Sequence, residues 1–422
     1  MKKRYSDQFV IGFALFSMFF GAGNIIFPPH IGMGAGSEWF TGFLCYYISD
    51  IGLAIIAIFA LIKSGGELSR VTEHIGTVPG EIMVSAIILC IGPFIALPRT
   101  GATTYEMFVI PVFGNISPII PTAVFFLIIL CLTIRESAVV DIIGKFLTPA
   151  LFLGLLILIF CGIFSPIGPI SDEPMMDNVI TDGINAGYQT MDVLAAMIFG
   201  IIIVKSVTER GYSENKLKYK VVRNASLIAA VGLLVVYCGL TYLGATASTI
   251  FELNINRSQL ILNITQLLMG RGGVIVLGIV VTLACITTAV ALVSASADYF
   301  CTLSKGRLDY KLLTAIICIF SAVVSTFGIE QLVALASPVL SLIYPGALTL
   351  ILLSFFSSRL SDYIIRGAVL GAILGSLCEI AYGWGAPLSF VPYLPLFHFG
   401  FGWVIFAVIL GICGGLFFRK KK

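Results

Sequence analysis

Charge is what this chain has least of. Lysine, arginine, aspartate and glutamate make up 11% of its 422 residues, against 58% apolar types, and the mean hydropathy is +1.04. Soluble globular domains carry about a quarter charged residues, so that class is excluded. Histidine is scarce, and His30, His74 and His398 lie too far apart in sequence to read as a metal set. The ten cysteines are scattered singly through apolar stretches, which suits small buried filler and argues against a disulfide framework. A net charge of +3 gives no reason to expect nucleic acid as a partner. A membrane enzyme would want a dense cluster of acids or histidines, a Ser/His/Asp set, paired carboxylates or a phosphate loop. None stands out, so the chain reads as no enzyme and as needing no cofactor. A channel would want a repeated polar filter or rings of charge, and neither is found.

What fills the chain is a series of apolar runs near the roughly 20 residues a bilayer requires. They lie at Phe9–Ile31, Trp39–Ile62, Ile82–Thr103, Ile119–Ile134, Ile142–Phe164 and Gly187–Val207. The second half continues with Val221–Ala245, Val274–Phe300, Leu312–Phe327, Leu332–Phe356, Ile364–Tyr382 and Phe399–Phe418. The expectation is an all-α integral membrane protein of about twelve transmembrane helices, one transport domain over 1–422 with no separate soluble part. The first run is too long for a signal-peptide core and has no small-residue cleavage site, so the N-terminus is expected to be retained. With both termini inside, 22 of the 25 basic residues fall on inner loops, leaving Arg99, Arg257 and Arg271. That asymmetry predicts cytoplasmic termini in a multi-pass protein of the cytoplasmic membrane. Trp39, Trp384 and Trp403 fall near the expected outer ends, where an aromatic belt would sit, and 166–187 reads as an acidic outer loop.

The first run contains GAGNIIFPP, Gly21 to Pro29, which cannot continue as ordinary helix. Lipid offers no water to satisfy freed N–H and C=O groups, so irregular backbone at this depth must line a cavity or be buried in protein. A first helix broken midway points to a secondary transporter, whose half-helix ends hold substrate and ion; a proline kink is the plainer alternative. A second unusual stretch, GYQTMD at Gly187 to Asp192, opens the sixth run five helices later. That spacing inverts the topology of the second half.

Together GFALFSMFFGAGNIIFPP, GPFIALPRT, GYQTMDVLAAMIFGIIIV, ACITTAV and the stretch Ile343-Tyr344-Pro345 resemble the branched-chain amino acid:cation symporter family, in order and spacing, over nearly the whole chain. The resemblance implies a five-plus-five inverted repeat with broken helices 1 and 6, first repeat 9–164, second repeat 187–356, and two additional helices at 364–418. It also implies import of leucine, isoleucine and valine with a cation, sodium in most members. The alternatives are a carrier of another neutral amino acid or a small organic cation, or a proton-coupled variant. A small-molecule substrate, a coupling cation and the lipid bilayer are the partners implied, and no obligate protein partner is evident.

At Gly21, Ala22 and Gly23 an amino-acid carboxylate would meet freed amides and the positive end of the following half-helix. Asn24 would contribute its amide to ion or carboxylate, or cap freed backbone. Ala284, Thr287 and Thr288, spaced i, i+3, i+4, put one carbonyl and two hydroxyls on one helical face. Such hard oxygens suit a monovalent cation, although membrane threonines often bond back to their own helix. The resemblance favours the ion site and adds carbonyls near Ser17 and Phe20 to it. Thr190 and Met191 are expected beside the substrate, with Asp192 either receiving its ammonium or capping a helix. Arg99 would form an external gate with an acid such as Glu106 or snorkel to the surface. Asp50 would hold a proton or a helix-to-helix hydrogen bond, and Glu379 lies near a helix end in water. Gly12 gives no sign of being more than an ordinary helix position.

Overall fold

A computed structural model describes residues 2–66, 68–134, 148–212, 214–357 and 359–417, and every regular element among them is helical. Residues 142–147 of the fifth expected span and the basic positions Arg135, Lys145 and Arg419 to Lys422 lie outside the described residues. Each of the twelve expected spans meets helix. The first is α1 (Lys2–Phe19) with α2 (Gly23–Ala35), and the second is α3 (Trp39–Tyr47) with α4 (Leu53–Lys63). After the short α5 (Leu68–Thr72), the third comprises α6 (Thr77–Leu89), α7 (Ala96–Thr104) and α8 (Ile110–Phe113). Then follow α9 (Ile119–Ile134), α10 (Thr148–Phe164), the pair α11 (Val179–Thr190) and α12 (Asp192–Glu209), and α13 (Asn215–Ala245). The remainder are α14 (Arg257–Leu303), α15 (Tyr310–Ser325), α16 (Ile329–Ser354), α17 (Asp362–Gly383) and α18 (Trp403–Phe417).

Three of the expected spans need correction. The sixth span begins at Val179, so the last part of the expected outer loop is helix and GYQT ends a half-helix instead of opening one. Polar Thr181, Asp182 and Asn185 interrupt the apolar run there, yet Asn178 caps the helix by accepting from the Thr181 amide at 3.1 Å. The eighth span extends back to Arg257 across a kink at Gly270, whose φ of +66° favours glycine. The third span is also interrupted, with non-helical backbone at Gly92 beside Pro93 and wide π-helical turns at Cys90–Phe94 and Tyr105–Val109 on either side of α7.

The chain forms two compact units. The first gathers Met1–Ile51, Leu89–Met191 and Lys220–Ala334; the second gathers Gly52–Ile88, Asp192–Tyr219 and Leu335–Lys422. In the first unit α14 is the organising helix, packing against α1, α2, α7, α9, α10 and α15. Glycines let backbones close: Gly32 of α2 lies against the Thr241 carbonyl of α13, and Gly244 of α13 lies against the Pro29 carbonyl of α2. Gly12 is also a packing position, where an added Cβ would stand 2.9 Å from Ile228. In the second unit α17 and α18 form a tight pair, with Gly367, Gly371 and Gly375 facing α18. Trp403 is buried there against Leu348, Ala372 and Ala407, so it is core and not part of an interfacial belt. Glu379 accepts from the backbone of Gly402 and Trp403, which makes it a helix cap instead of a solvated side chain.

Both faces of these helices are apolar. On α15, Leu312, Ile316, Ile319 and Val323 are more than half exposed along one face, while Leu313, Ile317 and Cys318 are buried on the other. A helix apolar all round belongs in hydrocarbon. Among the described residues, seven helical stretches are long and apolar enough to cross a bilayer, accompanied by five shorter apolar ones. The protein is therefore a multi-pass membrane protein. Because a Cβ at Gly32 would overlap backbone, Gly32→Ala should cost about 1–3 kcal/mol through overpacking. Gly272→Ala, where nothing lies within 4 Å, should cost nothing. Melting of the detergent-solubilised protein followed by size-exclusion fluorescence separates the two; equal melting points would refute the close approach.

Candidate functional site

Between α1 and α2, Phe20, Gly21 and Ala22 leave the helix. The Phe20 amide still donates to the Phe16 carbonyl at 2.8 Å, and the Gly21 amide turns back to the Phe19 carbonyl at 2.8 Å. Asn24 Nδ2 donates to the same Phe19 carbonyl at 2.8 Å and to the Tyr237 hydroxyl. Its amide therefore stitches the break together and ties it to α13, the capping role that the sequence left open. The N-terminus of α2 is different. It is buried at Gly23, and its N-cap residue, Ala22, makes no side-chain capping bond. The positive end of a buried helix favours negative charge. A Cβ built on Gly21 would stand 3.6 Å from Thr288 Cγ2 and 3.8 Å from its Oγ1. Thr288 is 7% exposed, and its hydroxyl has no hydrogen-bond partner among the described residues.

Ser17, Ala284 and Thr287 line one cavity of about 20 Å³ with Thr148, Leu151, Val280 and Leu283. That is room for one water or a small ion. Thr287 Oγ1 donates to the Ala284 carbonyl at 2.7 Å, the back-bond common to membrane threonines. A hydroxyl that has given its proton still offers lone pairs to a cation. Phe20 and Thr288 are not among the lining residues: the Phe20 ring stacks on Phe16 at 5.6 Å, and Thr288 faces Gly21. Thr148 is a further hydroxyl that the sequence reading passed over. It is 1% exposed and its oxygen has no partner among the described residues. A threonine beside Pro149 at the head of an apolar run was the available signal.

The second break is one residue wide. Met191 adopts left-handed φ +68°, ψ +14° between α11 and α12, a conformation that non-glycine residues rarely hold without support. Support comes from two sides within the first unit. Arg99, on α7, donates from Nη1 to the Gln189 carbonyl at 2.7 Å and from Nη2 to the Thr190 carbonyl at 3.1 Å. Asp50, in a π-helical turn at Ile48–Gly52, accepts from the Thr190 hydroxyl at 2.8 Å. The same hydroxyl lies 2.6 Å from the Gly187 carbonyl, so its single proton is shared between the two acceptors. Gly187 itself packs on the Tyr46 carbonyl, which lets α11 lie close to the chain carrying Asp50. Asp192 heads α12 as the first residue of the second unit and is buried there.

Arg99 forms no gate with Glu106. It is 3% exposed, and its guanidinium takes the carbonyls left free at the end of α11. Glu106 accepts instead from Ser258 Oγ and, at 2.9 Å, from the Ile329 amide. Arg99 also meets α2: a Cβ on Gly23 would stand 3.0 Å from Nη2, and Cζ lies 5.8 Å from the centre of the Phe27 ring. Arg257, paired with Glu330, lies over the same ring at 5.7 Å. The two breaks are thus connected through one buried cation.

Comparison with known proteins points the same way. The family model for branched-chain amino acid transport protein matches residues 4–421. The chain is 36% identical over 430 residues to the branched-chain amino acid transport system 2 carrier protein of Pseudomonas aeruginosa, covering 99% of this chain and 98% of that one. It is 34% identical over 421 residues to the branched-chain amino acid permease BraB of Bacillus subtilis, covering 97% and 94%. Among solved structures it resembles Mhp1, a nucleobase-cation-symport-1 family transporter in a closed conformation with bromovinylhydantoin bound. The TM-score is 0.65 at 14% identity, covering 96% of this chain and 91% of that one. A Na+-coupled sialic acid symporter in a substrate-bound outward-open state gives 0.61 at 15%, covering 97% and 90%. These likenesses establish the fold as that of the five-plus-five inverted-repeat transporters.

The hydrogen bond between Thr190 and Asp50 gives a direct test of the second break. Thr190→Val removes the hydroxyl from a buried carboxylate, which should cost about 1–3 kcal/mol, whereas Thr190→Ser should retain most of the stability. Melting temperatures of the purified variants measure this; a valine variant as stable as wild type would show that the bond contributes nothing.

Proposed function

The chain belongs to the branched-chain amino acid transport protein family, and on that premise we propose that it imports leucine, isoleucine and valine by symport with sodium through alternating access. It is a transporter and not an enzyme. The observation that carries the proposal is the buried start of α2 at Gly23, whose N-cap residue Ala22 makes no side-chain cap, with the Thr288 hydroxyl, which has no hydrogen-bond partner among the described residues, facing Gly21. Gly21, Ala22 and Gly23 supply amides for the substrate carboxylate, while Asn24 holds the break in shape from behind. Thr190 and Met191 lie at the other break, and the buried Ile25, Ile26 and Met191 suit an aliphatic side chain. Asp192 follows directly in the chain as a helix-heading carboxylate.

For the ion, Ser17, Ala284 and Thr287 offer carbonyl and hydroxyl oxygens around a cavity of ionic size, with Thr148 as a further donor. Phe20 contributes its carbonyl at the break, and Thr288 its hydroxyl. An all-oxygen set without a carboxylate fits a monovalent cation better than calcium. A first repeat at 9–164, a second that starts with the sixth span at Val179 and runs to 356, the additional helices at 364–418, and termini on the cytoplasmic side of the cell membrane complete the proposal.

In proteoliposomes, labelled leucine uptake should rise with an inward sodium gradient and be competed by isoleucine and valine but not by lysine or glutamate. Discrimination among the three should stay modest, because one methylene is worth about 1–3 kcal/mol. Thr288→Ala should raise the sodium concentration for half-maximal uptake about tenfold, equivalent to roughly 1.4 kcal/mol. Uptake indifferent to sodium but driven by a proton gradient would overturn the sodium assignment, and competition by lysine would overturn the aliphatic site.

A further inference from the structure

We propose that Phe27 sets the size limit on the transported side chain, as an aromatic wall beside Gly23 that Arg257 holds in place. The proposal rests on the transport reading above and names the residue that would separate branched aliphatic amino acids from larger ones.

Phe27 lies one turn after Gly23 on α2. Side chains on a helix tilt toward its N-terminus, so a residue at i+4 covers the turn before its own Cα. The ring does so here: a Cβ built on Gly23 would stand 3.4 Å from its Cε2, the distance of van der Waals contact. An amino acid seated by its carboxylate on the Gly23 end of α2 therefore has this ring as a neighbour. Phe27 is 3% exposed. Pro28 and Pro29 follow it within the helix, and their fixed φ stiffens the backbone that carries the ring.

Surplus volume in a ligand is penalised only where the surroundings cannot move aside. The contacts of the ring meet that condition. Arg257 Cζ lies 5.7 Å from its centre and Arg99 Cζ lies 5.8 Å from it, distances at which a guanidinium is attracted to an aromatic ring. Arg257 is itself fixed. At the start of α14 it pairs with Glu330 of α16, and Glu330 also accepts from the Arg257 amide at 3.1 Å. Glu106 joins the same two helix starts, accepting from Ser258 Oγ and, at 2.9 Å, from the Ile329 amide. The ring is thus backed by helix ends that two carboxylates tie together.

The test is the ratio of affinities for leucine and phenylalanine, each competing against labelled leucine on purified, full-length protein. Wild type should favour leucine by about a hundredfold, and Phe27→Ala should bring the ratio below about tenfold by admitting phenylalanine. If Phe27 only packs α2, both ligands weaken together and the ratio persists, which overturns the proposal. Phe27→Leu keeps an apolar side chain and removes the far edge of the ring, so it should lower the ratio by about threefold or more. It decides the matter should the alanine variant fail to fold, and an unchanged ratio there overturns the wall.

Arg257→Gln leaves the ring but removes its cation, so the ratio should again fall by about threefold, while Arg257→Lys should preserve it. An unchanged ratio in Arg257→Gln overturns the positioning by Arg257. Wild type that binds phenylalanine as well as leucine refutes the wall while leaving the transport reading intact. Wild type that binds no leucine at all refutes the transport reading itself.

Discussion

Inside hydrocarbon, a backbone carbonyl or amide released from its helix must find another partner, and this constraint shapes the centre of the molecule. An unsatisfied group there costs several kcal/mol, because no water can replace the lost bond. The first break meets the demand locally and then laterally: the Phe19 carbonyl receives both the Gly21 amide and the Asn24 side chain, and Asn24 is held by Tyr237. The second break meets it with a cation brought from another helix, since Arg99 takes the two carbonyls that Met191 leaves unpaired. One break is therefore closed by a neutral amide and the other by a charge. In the function proposed above, the amides at the head of α2 are the part of this arrangement left to a ligand.

The rest of the first unit holds those partners in place. Arg99 reaches α11 because α7 is a short rigid piece between two wide turns, offset by the bend at Gly92 and Pro93. α14 packs on both halves of the first broken helix and on α7, so the oxygens at Ala284, Thr287 and Thr288 sit on the same support as the break. Close glycine contacts, Gly32 with Thr241 and Gly187 with Tyr46, keep α2 and α11 near their neighbours. With lipid on the outside, helix association rests on such packing and on interhelical hydrogen bonds rather than on hydrophobic contrast.

The spans and first break were legible in the sequence because length, apolarity and GAGN-type breakers report directly on the bilayer. The second break was legible as a place but not as a shape. The polar residues of α11 hid its first half, and nothing in Met191 announces a left-handed conformation. Ser17, Ala284 and Thr287 were brought together around one cavity, whereas Phe20 and Thr288 were placed beside the break itself. Arg99 and Asp50 were visible as charges in apolar runs, yet their partners are 91 and 140 residues away in sequence. Pairing at that separation is a property of the packed fold, and a single chain read end to end carries no trace of it. Gly12 failed in the opposite direction, because a packing glycine and an idle one look alike in sequence.

Magnitudes explain why Met191 stays strained. A left-handed non-glycine residue costs about 1–3 kcal/mol and persists only where its surroundings over-determine it. Hydrogen bonds to charged groups contribute about 1.5–3 kcal/mol each, and three of them converge on Gln189 and Thr190: two from Arg99 and one to Asp50. Their sum exceeds the strain, so the charged neighbours impose the break and Met191 tolerates it. A glycine at 191 would remove the strain but also free the position to adopt many conformations, leaving the orientation of the α11 carbonyls to Arg99 alone. Methionine keeps a buried apolar side chain at the junction and restricts its backbone. Its strain is thus the cost of a fixed half-helix end, held by a guanidinium and a carboxylate that meet on opposite parts of one threonine.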